Sequence, residues 1–356
     1  MKYSVSNGFS DWLREQRISI AVSTYQSNRV IFISSRNDHS RIHVQARSFE
    51  RPMGMYITKN CLTIACKNSI WEFSNFLQQG SFYDQFDALY APSRMFVTGS
   101  IDIHELGYEA KSDKIIFANT QYDCISTLSK NNSFEIEWIP PFLSKCMGDD
   151  RAHINGLCFI NKTLQFASMC SQDDQSFGWK KNQDMGGILI DITNNQVILE
   201  RLSMPHSPRF YDGRRWILNS GLGQLGFEEN GKYIPICELP GFTRGLAFYR
   251  NYALIGLSKL RSKSLKKLPI EEKLSKNAIY PDVCGIFIFD IQAKRPVHYL
   301  LFEEPIRELF DIQVLPHRTP MIVGTQDDLL SRFIKHPFRP PAIREKFSLK
   351  EGDSQK

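Results

Sequence analysis

Short apolar runs rich in β-branched and aromatic residues recur along the chain, separated by glycine, asparagine, aspartate or lysine. Such runs with turn residues between them predict β-strands joined as hairpins. Six runs open with a related phrase, and four of the six phrases have glycine three positions after the first residue. The phrases are RPMGMYI at 51, HELGYEA at 104, HINGLCF at 153, HSPRFYD at 206, FTRGLAF at 242 and ELFDIQV at 308.

A second apolar run follows each phrase, and further runs complete most of the units. Four strands per unit, repeated at intervals of roughly 40–50 residues, are typical of a β-propeller blade. We therefore predict an all-β, six-bladed β-propeller. An open β-sandwich or two smaller β domains would be the alternative, but neither a linker nor a break in composition favours them.

The two ends of the chain are expected to complete one blade. Residues 18–49 offer three strand-like runs without an opening phrase, and the phrase at 308 has few strands after it. Pairing N- and C-terminal strands in one blade would leave no free sheet edge. We predict an N-terminal extension at 1–17, a single propeller domain at 18–336 and a flexible tail at 337–356, which is rich in proline and charge.

The charge pattern gives little sign of a macromolecular partner. The formal charge of +6 lies largely in residues 261–267 and the tail, and no nucleic-acid-binding motif accompanies it. No apolar stretch approaches the roughly 20 residues that span a bilayer, and the N-terminus lacks the apolar core of a secretory signal. We expect a cytoplasmic protein with no nucleic acid or membrane partner. Its eight cysteines form no CxxC pair, which favours reduced thiols.

Several phrases of the chain resemble one known family. They are STYQ (23–26), RPMG (51–54), MPHSPR (204–209), ILNSG (217–221), LPGFTRGLAF (239–248) and GLSKLR (256–261). Together they resemble a bacterial family of conserved hypothetical proteins with a domain of unknown function, over about residues 10–325. The resemblance implies a six-bladed propeller. It implies no activity and no catalytic residues, so the candidate site depends on this sequence alone.

One repeat position carries the candidate chemistry. The first strand of each blade lines the propeller channel, so equivalent residues form a ring around the axis. That ring would consist of Glu308, Arg51, His104, His153, His206 and Phe242. Three histidines at a channel mouth predict a site for Zn, Fe, Mn or Cu, with His104, His153 and His206 as ligands. Alternatively, they would line a metal-free polar pocket, or a one-residue error in register would turn them away.

Charged residues near the same mouth are the other candidates. Glu308 and Glu105 are predicted to carry protons in catalysis. Arginine can hold a carboxylate or phosphate with two hydrogen bonds, which favours a small anionic substrate. Each arginine could equally form a salt bridge between blades. The predicted substrate-binding residues are Arg51, Arg209, Arg244 and Asn155.

Two function classes remain open. The first is a metal-dependent enzyme of hydrolase, lactonase, lyase or oxygenase type that acts on a small-molecule ligand in the central channel. The second is a non-catalytic ligand- or protein-binding scaffold, with the basic loop 259–276 as the contact surface for a protein partner. The sequence contains no GxSxG, HExxH or P-loop motif that would decide between them.

Overall fold

The computed structural model describes residues 1–36, 41–260, 268–276, 282–334 and 342–343.

Tight turns join many neighbouring strands. Asp212 and Gly213 have φ values of 48° and 73°, and Asn230 and Gly231 have 52° and 74°. These left-handed pairs belong to type I′ hairpin turns, for which Asp-Gly and Asn-Gly are favoured.

The described residues contain 28 strands and two α-helices. The strands are β1 (Tyr3–Val5), β2 (Ser19–Ser23), β3 (Arg29–Ser35), β4 (Ile42–Ser48), β5 (Met55–Ile57), β6 (Cys61–Ala65), β7 (Ser69–Asn75), β8 (Ala88–Val97), β9 (Ile103–Glu109), β10 (Lys114–Asn119), β11 (Cys124–Thr127), β12 (Glu135–Trp138), β13 (Ile154–Ile160), β14 (Thr163–Met169), β15 (Gly187–Asp191), β16 (Gln196–Leu202), β17 (Pro205–Tyr211), β18 (Arg214–Asn219), β19 (Gln224–Glu229), β20 (Lys232–Glu238), β21 (Phe242–Tyr249), β22 (Tyr252–Ser258), β23 (Cys284–Asp290), β24 (Arg295–Phe302), β25 (Ile312–Leu315), β26 (Pro320–Ile322), β27 (Phe333–Ile334) and β28 (Ala342–Ile343). The helices are α1 (Phe9–Gln16) and α2 (Pro269–Lys276), and short 3-10 turns lie at Tyr25–Ser27, Gly178–Lys181, Ser220–Leu222 and Asp328–Arg332.

Six antiparallel four-stranded sheets form the blades of a six-bladed β-propeller, as predicted. From the innermost strand outward they are β25-β2-β3-β4, β5-β6-β7-β8, β9-β10-β11-β12, β13-β14-β15-β16, β17-β18-β19-β20 and β21-β22-β23-β24. We number them blades 1 to 6. The predicted closure is confirmed, since C-terminal β25 pairs with N-terminal β2 in blade 1, with Ala21 opposite Gln313.

Both ends of the chain also extend outer edges of the sheets. Strand β1 pairs antiparallel with β24, and β26 runs parallel to β8. Residues 1–17, expected as an N-terminal extension, therefore contain β1 and α1. Of the expected tail at 337–356, only Ala342 and Ile343 lie within the described residues. In the described part of the chain no helix has the length and apolar character needed to cross a membrane.

Apolar layers between neighbouring blades form the core. Val22 of blade 1 and Ile286 of blade 6 belong to one buried cluster, into which α1 inserts Phe9 and Leu13. A second cluster joins blades 1 and 2. Because each blade buries apolar side chains against both neighbours, burial stabilises the closed ring as a unit.

Arg209 joins the inner strands at the propeller axis. It extends from β17, forms an ion pair with Glu105 of β9 and lies 3.7 Å from Asp311 Oδ1, immediately before β25. Its guanidinium also donates to the carbonyl oxygens of Leu246 on β21, at 2.9 Å, and Leu157 on β13, at 3.4 Å. We call Arg209, Glu105 and Asp311 the axial cluster.

The two carboxylates of the axial cluster accept further backbone hydrogen bonds. Asp311 Oδ2 accepts from Met55 N of β5 at 2.8 Å, and Glu105 Oε2 accepts from Leu157 N at 3.1 Å. Burial raises the pKa of Glu105 to about 7, although Arg209 opposes that shift. The three residues of the axial cluster and their hydrogen-bond partners thus involve the innermost strand of every blade; in blade 1 the residue involved is Asp311, which precedes β25.

The repeat glycines permit the inner strands to approach one another closely. A Cβ atom on Gly54 would lie 2.7 Å from the Cα of Glu105. Gly245 has a φ of +84°, and a Cβ there would lie 2.9 Å from the backbone nitrogen of Ile312. These positions therefore require glycine for space, for conformation or for both.

We predict that Arg209→Ala strongly destabilises the fold. The substitution leaves Glu105 and Asp311 buried without their cation, which typically costs about 3–5 kcal/mol. Denaturant unfolding would measure the loss. Arg307→Ala is a matched control, because Arg307 pairs with Glu304 and both side chains are more than half exposed. Equal unfolding midpoints for the two variants would contradict the role of the axial cluster.

Candidate functional site

A cavity of about 250 Å³ lies where the inner strands of blades 3 to 6 begin. Five of the six predicted ring residues line it, with Arg51 as the exception. Apolar rings and charged groups complete the wall. The cavity is lined by Tyr25, Asp102, His104, Asp150, His153, Trp179, Lys180, Met204, His206, Phe242, Arg244, Ser258, Lys259, Glu308 and Phe310.

Backbone carbonyl groups orient two of the three histidines. His104 Nδ1 lies 2.9 Å from the carbonyl oxygen of Asp102, and His206 Nδ1 lies 2.9 Å from that of Met204. In both cases the carbonyl belongs to the residue two positions earlier, which has a positive φ of 57° or 47°. A carbonyl can only accept, so each Nδ1 carries the hydrogen, and Nε2 carries the lone pair in the neutral ring.

A side chain orients the third histidine. The carboxylate of Asp150 lies 2.9 Å from His153 Nδ1, and it also accepts from Trp179 Nε1 at 2.9 Å. The indole lies against the imidazole, with 4.2 Å between the ring centroids. Asp150 and His153 both adopt positive φ. This carboxylate–imidazole arrangement occurs in proteins behind general bases and behind metal-bound histidines.

The three imidazoles line one cavity, but their side chains are not arranged as the ligands of one metal ion. The rings of His104 and His153 are edge to face, with centroids 4.8 Å apart. Burial lowers the pKa of His104 well below its usual value, and the neighbouring His153 and Arg244 lower it further. Within the described ranges, no three histidine, cysteine, aspartate or glutamate side chains are grouped closely enough to hold a metal ion.

The β10–β11 turn (120–123) supports the first two histidines from behind. Thr120 Oγ1 lies 2.8 Å from His104 Nδ1. Asp123 accepts backbone hydrogen bonds from Arg151, from Ala152 at 3.1 Å and from His153 at 2.8 Å. Burial raises the pKa of Asp123 to about 6. The turn thus fixes the backbone that carries His153.

A buried ion pair also lines the cavity. Arg244 Nη1 lies 3.3 Å from Glu308 Oε1, and the guanidinium lies 3.5 Å from the ring centroid of Phe310. Lys180 and Lys259 line the same cavity. The cavity lining as a whole therefore has three carboxylates, those of Asp102, Asp150 and Glu308, and three cationic side chains, those of Lys180, Arg244 and Lys259. Because Asp102 contacts Arg51 and Asp150 contacts His153, a small anion would find donors on the cationic side chains.

The remaining predicted residues lie outside the cavity lining. Arg51 donates to Tyr25 and Asp102, both of which line the cavity, and so supports the wall from outside. Glu105 and Arg209 are engaged in the axial cluster.

Asn155 lies within blade 4. Its oxygen accepts from Ser168 at 2.8 Å, and its amide nitrogen lies 3.3 Å from Cys170 Sγ. The contacts described above join parts of the propeller to each other in the case of Glu105, Arg209 and Asn155. The catalytic role of Glu105 and the substrate-binding roles of Arg209 and Asn155 stay predictions.

Asp150, Trp179 and Asp123 were missed by the sequence reasoning. An acidic residue lies two or three positions before a phrase histidine in two blades, as Asp102 and Asp150, and this recurrence was a usable signal. Trp179 belongs to the irregular stretch between β14 and β15, where no periodic pattern points to the axis. Asp123 acts through a turn of the neighbouring blade, so only the folded chain reveals its role.

The loop predicted to contact a protein partner, 259–276, is described only in part. Residues 261–267 lie outside the described residues. Leu268 and Ile270, at the start of α2, are buried in a cluster with the cavity residues Trp179, Met204 and Phe242. This part of the loop supports the cavity wall.

Comparisons with known proteins establish the family and the fold. Residues 7–323 match the model of the domain of unknown function DUF4915, so the chain belongs to that family. No curated protein matches the chain.

The solved structures similar to this chain have low sequence identity to it. A chain of the nidogen/laminin complex is 8% identical with a TM-score of 0.52, over 84% of this chain and 99% of that one. Virginiamycin B lyase from Staphylococcus aureus, in a catalytically inactive form crystallised with quinupristin, is 10% identical with a TM-score of 0.40, over 85% of this chain and 100% of that one. At these identities the comparisons concern architecture alone.

We predict that Asp123→Asn loosens the backbone around His153. An amide offers one accepting oxygen where the carboxylate has two, so at least one buried N–H loses its partner, at a typical cost of about 1–3 kcal/mol. Amide hydrogen exchange at 150–153 should accelerate. The matched variant Asp113→Asn changes an exposed turn between β9 and β10 and should leave that exchange unaltered. Unchanged exchange in Asp123→Asn would contradict the prediction.

Proposed function

We propose that the cavity is the active site of a metal-dependent enzyme that acts on a small anionic molecule. One observation carries the proposal: His104, His153 and His206 come from successive blades into one cavity, and each has its Nδ1 beside an oxygen acceptor. Such acceptors fix the ring and favour a lone pair on Nε2. Histidines that bind a metal through one ring nitrogen usually donate the other N–H to such an acceptor.

The donor set suits a transition metal more than a hard cation. Imidazole nitrogen is a ligand of Zn, Fe, Mn and Cu, whereas calcium prefers oxygen. The centroids of His104 and His153 are already 4.8 Å apart. His206, or a carboxylate such as Glu308, would complete the set by a change of side-chain conformation. When bound, the ion would polarise a carbonyl group or activate a water molecule.

The chain's own residues would bind the substrate and move protons. Arg244 can offer two parallel N–H groups to a carboxylate or phosphate, and its stacking on Phe310 holds the guanidinium plane. Glu308 contacts Arg244 and lines the cavity, so it is the better placed of the two predicted proton carriers. Lys180 and Lys259 would attract the anion at the cavity edge. The volume of about 250 Å³ limits the substrate to a small molecule.

A metal-free ligand-binding pocket is the second candidate. The observation in its favour is that the described side chains form no preassembled group of three metal ligands. In that case Arg244 and the lysines would bind the same anion, and the histidines would serve as hydrogen-bonding groups. Metal analysis separates the two functions directly.

We predict stoichiometric metal in the untagged protein. Elemental analysis after dialysis should give about one transition metal ion per chain, and His153→Ala should lose at least nine-tenths of it because two ligands hold such ions weakly. His43→Ala is the matched control, since His43 lies on β4 beside Phe86, away from the cavity, and should keep the metal. Folded wild-type protein that stays metal-free after incubation with Zn²⁺, Mn²⁺, Fe²⁺ and Cu²⁺ would contradict the metal-dependent function.

We predict that Arg244→Lys weakens anion binding by about tenfold. Lysine keeps the charge but loses the planar pair of donors, a difference of roughly 1.4 kcal/mol. Titration calorimetry with oxalate would measure the dissociation constant. Arg250→Lys, on the surface beside Tyr249, should bind oxalate like the wild type. Equal dissociation constants for the two variants would remove Arg244 from the proposed anion site.

A further inference from the structure

Two cysteines, Cys124 and Cys146, lie near the turn that supports His104 and His153. Cys146 lies in the segment between β12 and β13, where its Sγ donates to the carbonyl oxygen of Tyr122 at 2.9 Å. Cys124 follows Tyr122 by two residues and begins β11. The side chains of Cys124 and Cys146 interact with each other, and neither cysteine belongs to a disulfide.

The two thiols differ in access and in acidity. Cys124 is fully buried, whereas Cys146 is partly exposed. The hydrogen bond from Cys124 lowers the pKa of Cys146, and the same contact together with burial raises the pKa of Cys124. An accessible thiol beside a second, buried thiol is the arrangement found in redox-active cysteine pairs.

This contact lies next to the backbone that orients the histidines. Tyr122 belongs to the turn 120–123, whose Asp123 holds the backbone of Arg151, Ala152 and His153. Gln121 of the same turn donates to the carbonyl oxygen of Gly148, two residues after Cys146. A covalent link between Cys124 and Cys146 would join this turn to the segment that carries Asp150.

We propose that Cys124 and Cys146 form a redox-active dithiol that hydroperoxides oxidise to a disulfide. The Cys146 thiolate attacks one peroxide oxygen, the O–O bond breaks, and the departing oxygen takes a proton to leave as water or an alcohol. Cys146 is then a sulfenic acid. The Cys124 sulfur attacks it, the S–O bond breaks, and the hydroxide leaves as water with the Cys124 proton. Two thiols lose two electrons in total, and the peroxide gains them.

The test uses the reduced full-length chain and hydrogen peroxide. After brief oxidation, non-reducing peptide mapping by mass spectrometry should recover the peptides of Cys124 and Cys146 as one disulfide-linked species, and dithiothreitol should separate them. Thiol titration of the unfolded product should find two fewer free thiols than the eight of the reduced chain. A product in which both cysteines remain thiols, or in which they pair with other cysteines, would overturn the proposal.

Serine variants resolve the order of the steps. Cys124→Ser should stop at the Cys146 sulfenic acid, which dimedone traps, while Cys146→Ser should abolish peroxide consumption. Cys237→Ser is the matched control, since Cys237 is also partly exposed, and it should still form the disulfide. If a serine variant does not fold, the wild type alone decides: native Cys146 should react with monobromobimane at least tenfold faster than Cys237. Equal rates would overturn the proposal.

Discussion

A single guanidinium on the propeller axis is the constraint on which the rest of the molecule depends. Propeller blades otherwise contact mainly their immediate neighbours, through apolar layers whose hydrophobic attraction has no fixed direction. Arg209 adds contacts of fixed direction to the inner strands of non-adjacent blades, and its partner Asp311 extends them to Met55 of blade 2. Buried ion pairs gain little net stability but strongly penalise alternatives that separate them. The axial cluster therefore specifies one relative height for the inner strands.

The axial cluster is directly connected to the cavity wall through the chain. Successive strand residues point in opposite directions, so one strand beginning can supply both a wall residue and an axial residue. His104 lines the cavity while Glu105 joins the axial cluster, and Phe310 and Asp311 divide the same two roles. The axial cluster itself lies outside the lining of the cavity. The contacts that join the six sheets and the residues that line the cavity are therefore neighbours along the same strand beginnings.

The sequence predicted the blades well because every blade repeats the same local chemistry. β-branched runs, Asp-Gly and Asn-Gly turns and the phrase glycines act within one hairpin, and blade closure follows from the pairing of the two chain ends. The ring position was also visible, since five of its six residues line one cavity. Contacts that depend on loop paths were not visible. The sequence predicts a substrate-binding role for Arg209 and a proton-carrying role for Glu105, and it does not show their ion pair because the two residues belong to different blades. Trp179 lies in a stretch without periodicity.

The histidines of the cavity differ in the groups that orient their rings. This difference indicates that the surroundings of His153 can change most readily. His104 and His206 are oriented by carbonyl groups of their own strand beginnings, which the blade itself fixes. His153 is oriented by the side chain of Asp150, and its backbone depends on Asp123 of the preceding blade. A side-chain contact between two segments opens at a lower free energy than a strand leaves its sheet, because opening it breaks fewer buried apolar contacts. A change in the β10–β11 turn therefore reaches the cavity through His153, whose backbone Asp123 holds, and through His104, whose Nδ1 lies 2.8 Å from Thr120 Oγ1.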